Sequence, residues 1–277
     1  MNGLPIPPMP AGAASRLRWT VADGWILVRR ELWHLRNQPG QLVSALIFPV
    51  ALVVLFGYVF GSAIAVPGGD YRAYLMPGLF AMTSAFAVLI NAMAISAEKS
   101  KGVMDRFRSM PMARLAVPFG QTGADIMVGT AATLIMAACG LAVGWRPHDG
   151  AARAVAAFAL ILLFRYAMSW AGVYLGLALK DEKTVDNLAP LLFPVTMIAN
   201  TFVPTAHMPA WLRAIADWNP ISALTAACRQ LFGNPAAVTA HAPWPLQHPV
   251  TATLAWSAAL LAAFATLSVR RFITSGK

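Results

Sequence analysis

From Leu42 to Phe60 the chain runs for nineteen residues without a charged side chain. At about 1.5 Å per residue, a helix of that length matches the hydrocarbon thickness of a bilayer. Further apolar runs follow at residues 75–97, 117–144, 154–179, 188–203 and 250–269; the run at 188–203 is short and carries Pro190 and Pro194. With 58% hydrophobic residues and a mean hydropathy of +0.61, the chain is too apolar for a soluble domain. The expected fold is an all-α polytopic membrane protein with six transmembrane helices.

Around these spans the pattern predicts four further features. Residues 1–15 are rich in Pro, Gly and Ala, with no charge and no apolar core of a secretory signal, and are expected to be a disordered cytoplasmic tail. Residues 16–277 are then expected to form a single transmembrane domain. From Arg16 to Arg36, Leu17, Val21, Trp25, Val28, Leu32 and Leu35 draw one apolar helix face opposite Arg18, Arg29 and Arg36. Such a helix either lies in the interfacial plane among membrane lipids or docks on protein; its Trp and Arg content favours the interface. Between spans five and six, Pro209 to Asp217 and Pro220 to Phe232 are helical patches too short to cross, separated by Trp218 and Asn219. An external re-entrant helical hairpin is expected there.

Placing both termini inside puts fifteen of the twenty-one Lys and Arg residues on cytoplasmic segments and five outside, with Arg165 within span four. Since basic loops stay in the cytoplasm, this orientation is predicted, in a bacterial inner membrane. The net charge of +10 is explained by those flanks and does not call for nucleic acid.

No catalytic constellation is legible. There is no G-x-x-x-x-G-K-[ST] loop for nucleotide phosphates, and the five histidines lack metal-ligand spacing. Two cysteines, Cys139 and Cys228, are too few for a disulfide framework. Only Asp125 and Arg165 put charge well inside the apolar runs, at depths about 6 Å apart by helical rise. They are expected to pair or to line a polar substrate path, or else to be satisfied separately near headgroups and by carbonyls.

The densest charge lies between spans two and three. In Glu98–Arg114, seven of seventeen residues are ionisable, while Val103, Phe107 and Met110 recur at helical spacing and mark a short amphipathic helix. The string Glu98-Lys99, Gly102, Asp105-Arg106-Phe107-Arg108, Met110-Pro111 and Arg114 resembles the E-R-x-x-G-x-x-[DE]-R-[LF]-R-x-x-P pattern of type-2 ABC exporter permeases, especially the daunorubicin-resistance-type branch. Phe202-Val203-Pro204, Met208-Pro209, Trp211-Leu212 and Asn219-Pro220 resemble the same family's signature before its last span. Lys99, where Arg is commoner, and Arg165, in a span usually apolar, depart from the pattern.

This resemblance implies a transmembrane subunit that moves an amphipathic drug, lipid or secondary metabolite outward. A separate nucleotide-binding ATPase subunit would hold the ATP and magnesium, and a second permease chain, identical or related, would complete the assembly. Residues 98–111 would be the cytoplasmic coupling helix, with Val103, Phe107 and Met110 docked in a groove of the ATPase and Arg106 and Arg108 at its rim. Gly102 would permit close approach or a bend, and Pro111 would end the helix. Pro204, Pro209, Trp211, Trp218, Asn219 and Pro220 would belong to an external gate, or to packing that caps the bundle. Two other classes compete: a membrane-embedded enzyme or assembly factor acting on lipid, which needs a polar catalytic set, and a proton-driven transporter, which needs more intramembrane carboxylates than one. Coupling predicts that Phe107→Asp abolishes ATPase binding and transport while the protein still inserts, as read by co-purification and membrane fractionation.

Overall fold

A computed structural model describes residues 13–37, 39–56, 71–102, 104, 116–179, 181–202, 208–234 and 242–274. Among these the chain is helical, with no strand: α1 (Ala13–Arg36), α2 (Pro39–Val54), α3 (Tyr71–Ala85), α4 (Ala87–Ser100), α5 (Ala116–Val143), α6 (Gly150–Ala178), α7 (Glu182–Asp186), α8 (Ala189–Ile198), α9 (Ala210–Trp218), α10 (Pro220–Leu231), α11 (Trp244–Gln247) and α12 (Pro249–Thr274). Four stretches are long and apolar enough to cross a bilayer: Tyr71–Ser100, Ala116–Val143, Gly150–Ala178 and Pro249–Phe272. The chain is thus a multi-pass membrane protein. The first and fifth expected spans correspond to the shorter α2, with Pro49 inside it, and α8, with Pro194 inside it.

Several expectations change in detail. Helix α1 begins at Ala13, so Ala13–Ser15 belong to its first turn and not to a tail; alanine's high helix propensity suits it to that place. After α6, the short helix α7 is capped by Asp181, whose side chain accepts from the Thr184 N–H at 2.9 Å. The second crossing is two helices, α3 and α4, joined at Phe86.

Helix α6 is the hub, packing against α4, α12, α5, α3 and α10. Its seam with α4 depends on Gly172 and Gly176, one turn apart. A Cβ on Gly172 would lie 2.3 Å from the Val88 carbonyl oxygen, and one on Gly176 would lie 2.7 Å from that of Ala92. Small residues at this spacing let backbones meet where lipid supplies no hydrophobic drive for association.

Two clusters mark opposite ends of the bundle. At one, Trp145 and Phe232 meet edge-on with centroids 5.0 Å apart, Phe80 and Phe158 pack beside them, and the His148 N–H donates to the Phe232 carbonyl at 2.8 Å. At the other, Leu27 of α1, Ile95, Met104, Val117, Leu177 and Phe272 form a second buried group.

Helix α1 docks on α5 through Gly24, Leu27 and Val28, which meet Gly120 and Gly123. Trp25, expected on the same apolar face as Val28, is 59% exposed, and Ile26 and Trp33 are also turned outward. The glycines on α5 leave room for Leu27 and Val28, and the bulkier indoles face away. α1 therefore combines a protein-docked edge with an apolar outer edge.

Gly176→Leu would overpack the α4–α6 seam, at a cost of about 1–3 kcal/mol. It should lower the unfolding temperature of the detergent-solubilised protein, whereas Ala214→Leu on the exposed side of α9 should leave it unchanged.

Candidate functional site

The coupling motif starts on the last turn of α4. Of its residues, Glu98, Lys99 and Gly102 can be placed, while Val103, Asp105, Arg106, Phe107, Arg108, Met110 and Pro111 lie outside the described residues. The Glu98 carboxylate accepts from the Arg30 guanidinium of α1, which also reaches Glu31 at 3.2 Å. Burial works to lower the Arg30 pKa, but Glu98 and Glu31 outweigh it and hold the group above its ordinary value. Lys99 is half-buried. Its Nζ donates to the Leu179 carbonyl at 2.7 Å and lies 3.5 Å from that of Leu177, covering carbonyls at the end of α6 that lack a helical donor. Gly102 closes α4 with φ +67°, a left-handed turn, and no described residue lies within 4 Å of where its Cβ would be. The left-handed bend by itself favours glycine there.

Deeper in the bundle, Asp125 of α5 and Arg165 of α6 form a bidentate pair. Arg165 Nη2 donates to Asp125 Oδ1 at 2.6 Å and its Nε to Oδ2 at 3.1 Å, with both side chains buried. The Ser169 hydroxyl donates to the same Oδ2 at 2.6 Å, and Arg165 Nη1 lies 3.4 Å from the Thr83 carbonyl, three residues before the break at Phe86. Gly129 makes the room: a Cβ there would fall 1.9 Å from Arg165 Nε. Sequence reasoning singled out the two charges and missed Ser169 and Gly129. The signal was available, since Ser169 follows Arg165, and Gly129 follows Asp125, by four residues, one turn along the same face.

The two halves of the expected hairpin, α9 and α10, differ. On α9, Trp211 is 68% and Trp218 56% exposed, and Ile215 between them is exposed as well. Pro209 precedes α9, and Pro204 lies outside the described residues. Helix α10 is buried on most of its surface, against α12, α3 and α6. Asn219 caps it, its Oδ1 accepting from the Ile221 N–H at 2.9 Å while its Nδ2 donates to the Val195 carbonyl of α8 at 3.0 Å; Pro220 takes the first helical position. Arg229 of α10, counted only among the outer loop charges in the sequence, is buried among carbonyls. Among the described residues no cluster of His, Cys, Asp or Glu could hold a metal.

Long apolar helices joined by small-residue seams, with a buried ion pair and a charged segment after the second crossing, define a polytopic permease-like membrane protein. Residues 23–232 match the ABC-2 type transporter family, and the chain belongs to it as a transmembrane subunit of an ABC transporter. It is 28% identical over 244 residues to the daunorubicin resistance ABC transporter permease protein DrrB1 of Streptomyces coeruleorubidus, covering 88% of this chain and 83% of that one. It is 23% identical over 275 residues to the doxorubicin resistance ABC transporter permease protein DrrB of Mycobacterium tuberculosis, covering 92% and 93%. The probable multidrug ABC transporter permease YbhR of Escherichia coli is 24% identical over 186 residues, covering 65% and 50%.

Removing one member of a buried ion pair strands the other, at about 3–5 kcal/mol, while replacing both by apolar groups of similar volume is nearly neutral. Asp125→Leu or Arg165→Met alone should therefore destabilise strongly, and the double variant should recover most of the loss, as measured by chemical denaturation.

Proposed function

We propose that this chain is the membrane-spanning half of an ATP-driven exporter that moves an amphipathic drug, lipid or secondary metabolite out of the cell. A separate ATPase subunit binds the nucleotide and its magnesium, and a second permease chain, identical or related, faces this one. The observation that carries the reading is the anchorage of the motif's root. Glu98 is tied to α1 by Arg30, and Lys99 to the end of the hub helix α6. A push on residues 103–111 from a closing ATPase pair would reach α1 and α6 directly, without passing through flexible linkers. The names of the relatives, which are drug-resistance permeases, support the choice of cargo.

In this reading α2 and α8 belong to the first and fifth of six spans, and the Lys and Arg distribution supports two cytoplasmic termini in a bacterial inner membrane. Trp25, Ile26 and Trp33 of α1 meet lipid at the cytoplasmic interface. Val103, Phe107 and Met110 dock on the ATPase, with Asp105, Arg106 and Arg108 at the rim and Pro111 ending the helix. Asp125 and Arg165 keep α5 and α6 moving as one body, since their hydrogen bonds are met within the bundle. Pro204, Pro209, Trp211, Trp218, Asn219 and Pro220 form the outer gate.

The test is purification of the chain with and without candidate ATPase subunits, followed by ATP turnover in reconstituted vesicles. A stable complex whose turnover changes on adding an amphipathic substrate such as an anthracycline is the expected result. Failure to bind any ATPase would overturn the proposal.

A further inference from the structure

Arg229 has only 1% of its surface exposed, and its guanidinium donates to three backbone carbonyls. Nε donates to the Tyr74 carbonyl of α3 at 3.1 Å, and Nη2 donates to those of Asn200 at 2.8 Å and Thr201 at 3.1 Å. The guanidinium carbon also stands 3.6 Å from the centre of the Tyr74 ring. One side chain of α10 thus grips both α3 and the segment that leaves α8.

That segment is where the fold needs a grip. Helix α8 ends at Ile198, so Asn200 and Thr201 are non-helical. Thr201 nevertheless lies against Gly78, where a Cβ would come 2.6 Å from its carbonyl oxygen. Gly78 is seven residues into α3, about 10 Å from that helix's outer end by helical rise. Carbonyls outside a helix at such depth must find donors within the protein. The Asn200 carbonyl also takes the Tyr74 hydroxyl at 3.3 Å, and the Asn200 N–H donates to the Ser222 hydroxyl at 3.0 Å. Among the described residues, the Thr201 carbonyl takes its hydrogen bond from Arg229.

The same place offers alternative acceptors. The Tyr71 hydroxyl, Asn200 Oδ1 and Thr201 Oγ1 are buried and have no hydrogen-bond partner among the described residues. A guanidinium presents its donors in a fixed fork and exchanges one oxygen for another without changing its charge. It can therefore leave the two backbone carbonyls and still be satisfied, which a carboxylate-paired arginine such as Arg165 cannot do as readily.

We propose that Arg229 is the positioning residue of the outer gate. It pins the end of α8 to α3 and α10 in the closed conformation, and it withdraws from the Asn200 and Thr201 carbonyls when substrate leaves. The role in release rests on the export reading above; the pin itself does not.

The neighbouring Cys228 is fully buried and provides a native reporter, with Cys139→Ala removing the other thiol. The measurement is the rate of N-ethylmaleimide labelling of Cys228 in reconstituted permease, alone and in complex with an ATPase during ATP turnover. Losing a charge-assisted bond should make local opening easier by roughly tenfold. Arg229→Met should therefore raise the labelling rate of the permease alone by about that factor. Arg229→Lys, which keeps the charge but not the fork, should raise it less and guards against a methionine variant that does not fold. In the wild-type complex, labelling should be faster during turnover than without nucleotide. Wild-type rates in both folded variants would overturn the pin. Active ATP turnover with no change in Cys228 labelling would overturn its movement during release. A chain that engages no ATPase would defeat the export reading instead, and the variants of the isolated permease would still decide the pin.

Discussion

Polar groups within the apolar bundle cannot turn to water, so the demand for partners falls on the rest of the protein. Three arrangements answer that demand. Lys99 covers the carbonyls that end α6, Ser169 and Arg165 saturate Asp125 between α5 and α6, and Arg229 supplies donors to the carbonyls beyond α8. In each case a side chain of one helix completes the hydrogen bonding of another. Polar satisfaction and helix association are the same event here, in a medium where apolar contact between helices brings little net gain.

The close seams follow from this. Gly172 and Gly176 let α4 settle on α6, and Gly129 opens the space that the Arg165 guanidinium fills. Because α6 touches most of the bundle, displacement at its Leu179 end would be carried by a packed body and not by one helix. The exposed elements, α9 with its two tryptophans and the outward edge of α1, lie outside that body and present apolar surface.

Much of the architecture was legible in the sequence. Residues 117–144 and 250–269 anticipated α5 and α12 closely, because a helix that satisfies its own backbone needs little beyond apolar length to declare itself. The hairpin helices were marked by prolines and by Asn219, a capping residue. The fifth span was harder to read, since α8 is helical for only ten residues and the rest of its stretch is satisfied by side chains from distant positions. Trp25 was assigned to the wrong edge of α1 because periodicity reports apolarity and not shape, and the glycines that select Leu27 and Val28 sit almost a hundred residues away.

The sequence by itself determined the class, the long spans, the charged motif and the two intramembrane charges, all of which rest on composition and local periodicity. Tertiary structure decided what those charges do. It set Lys99 over the carbonyls that end α6, joined Asp125 to Arg165, and buried Arg229 among carbonyls. Helical rise and hydropathy act along the chain, where one sequence displays them. The partner of a buried charge is chosen by which helices pack together, and that choice is visible only once they have packed.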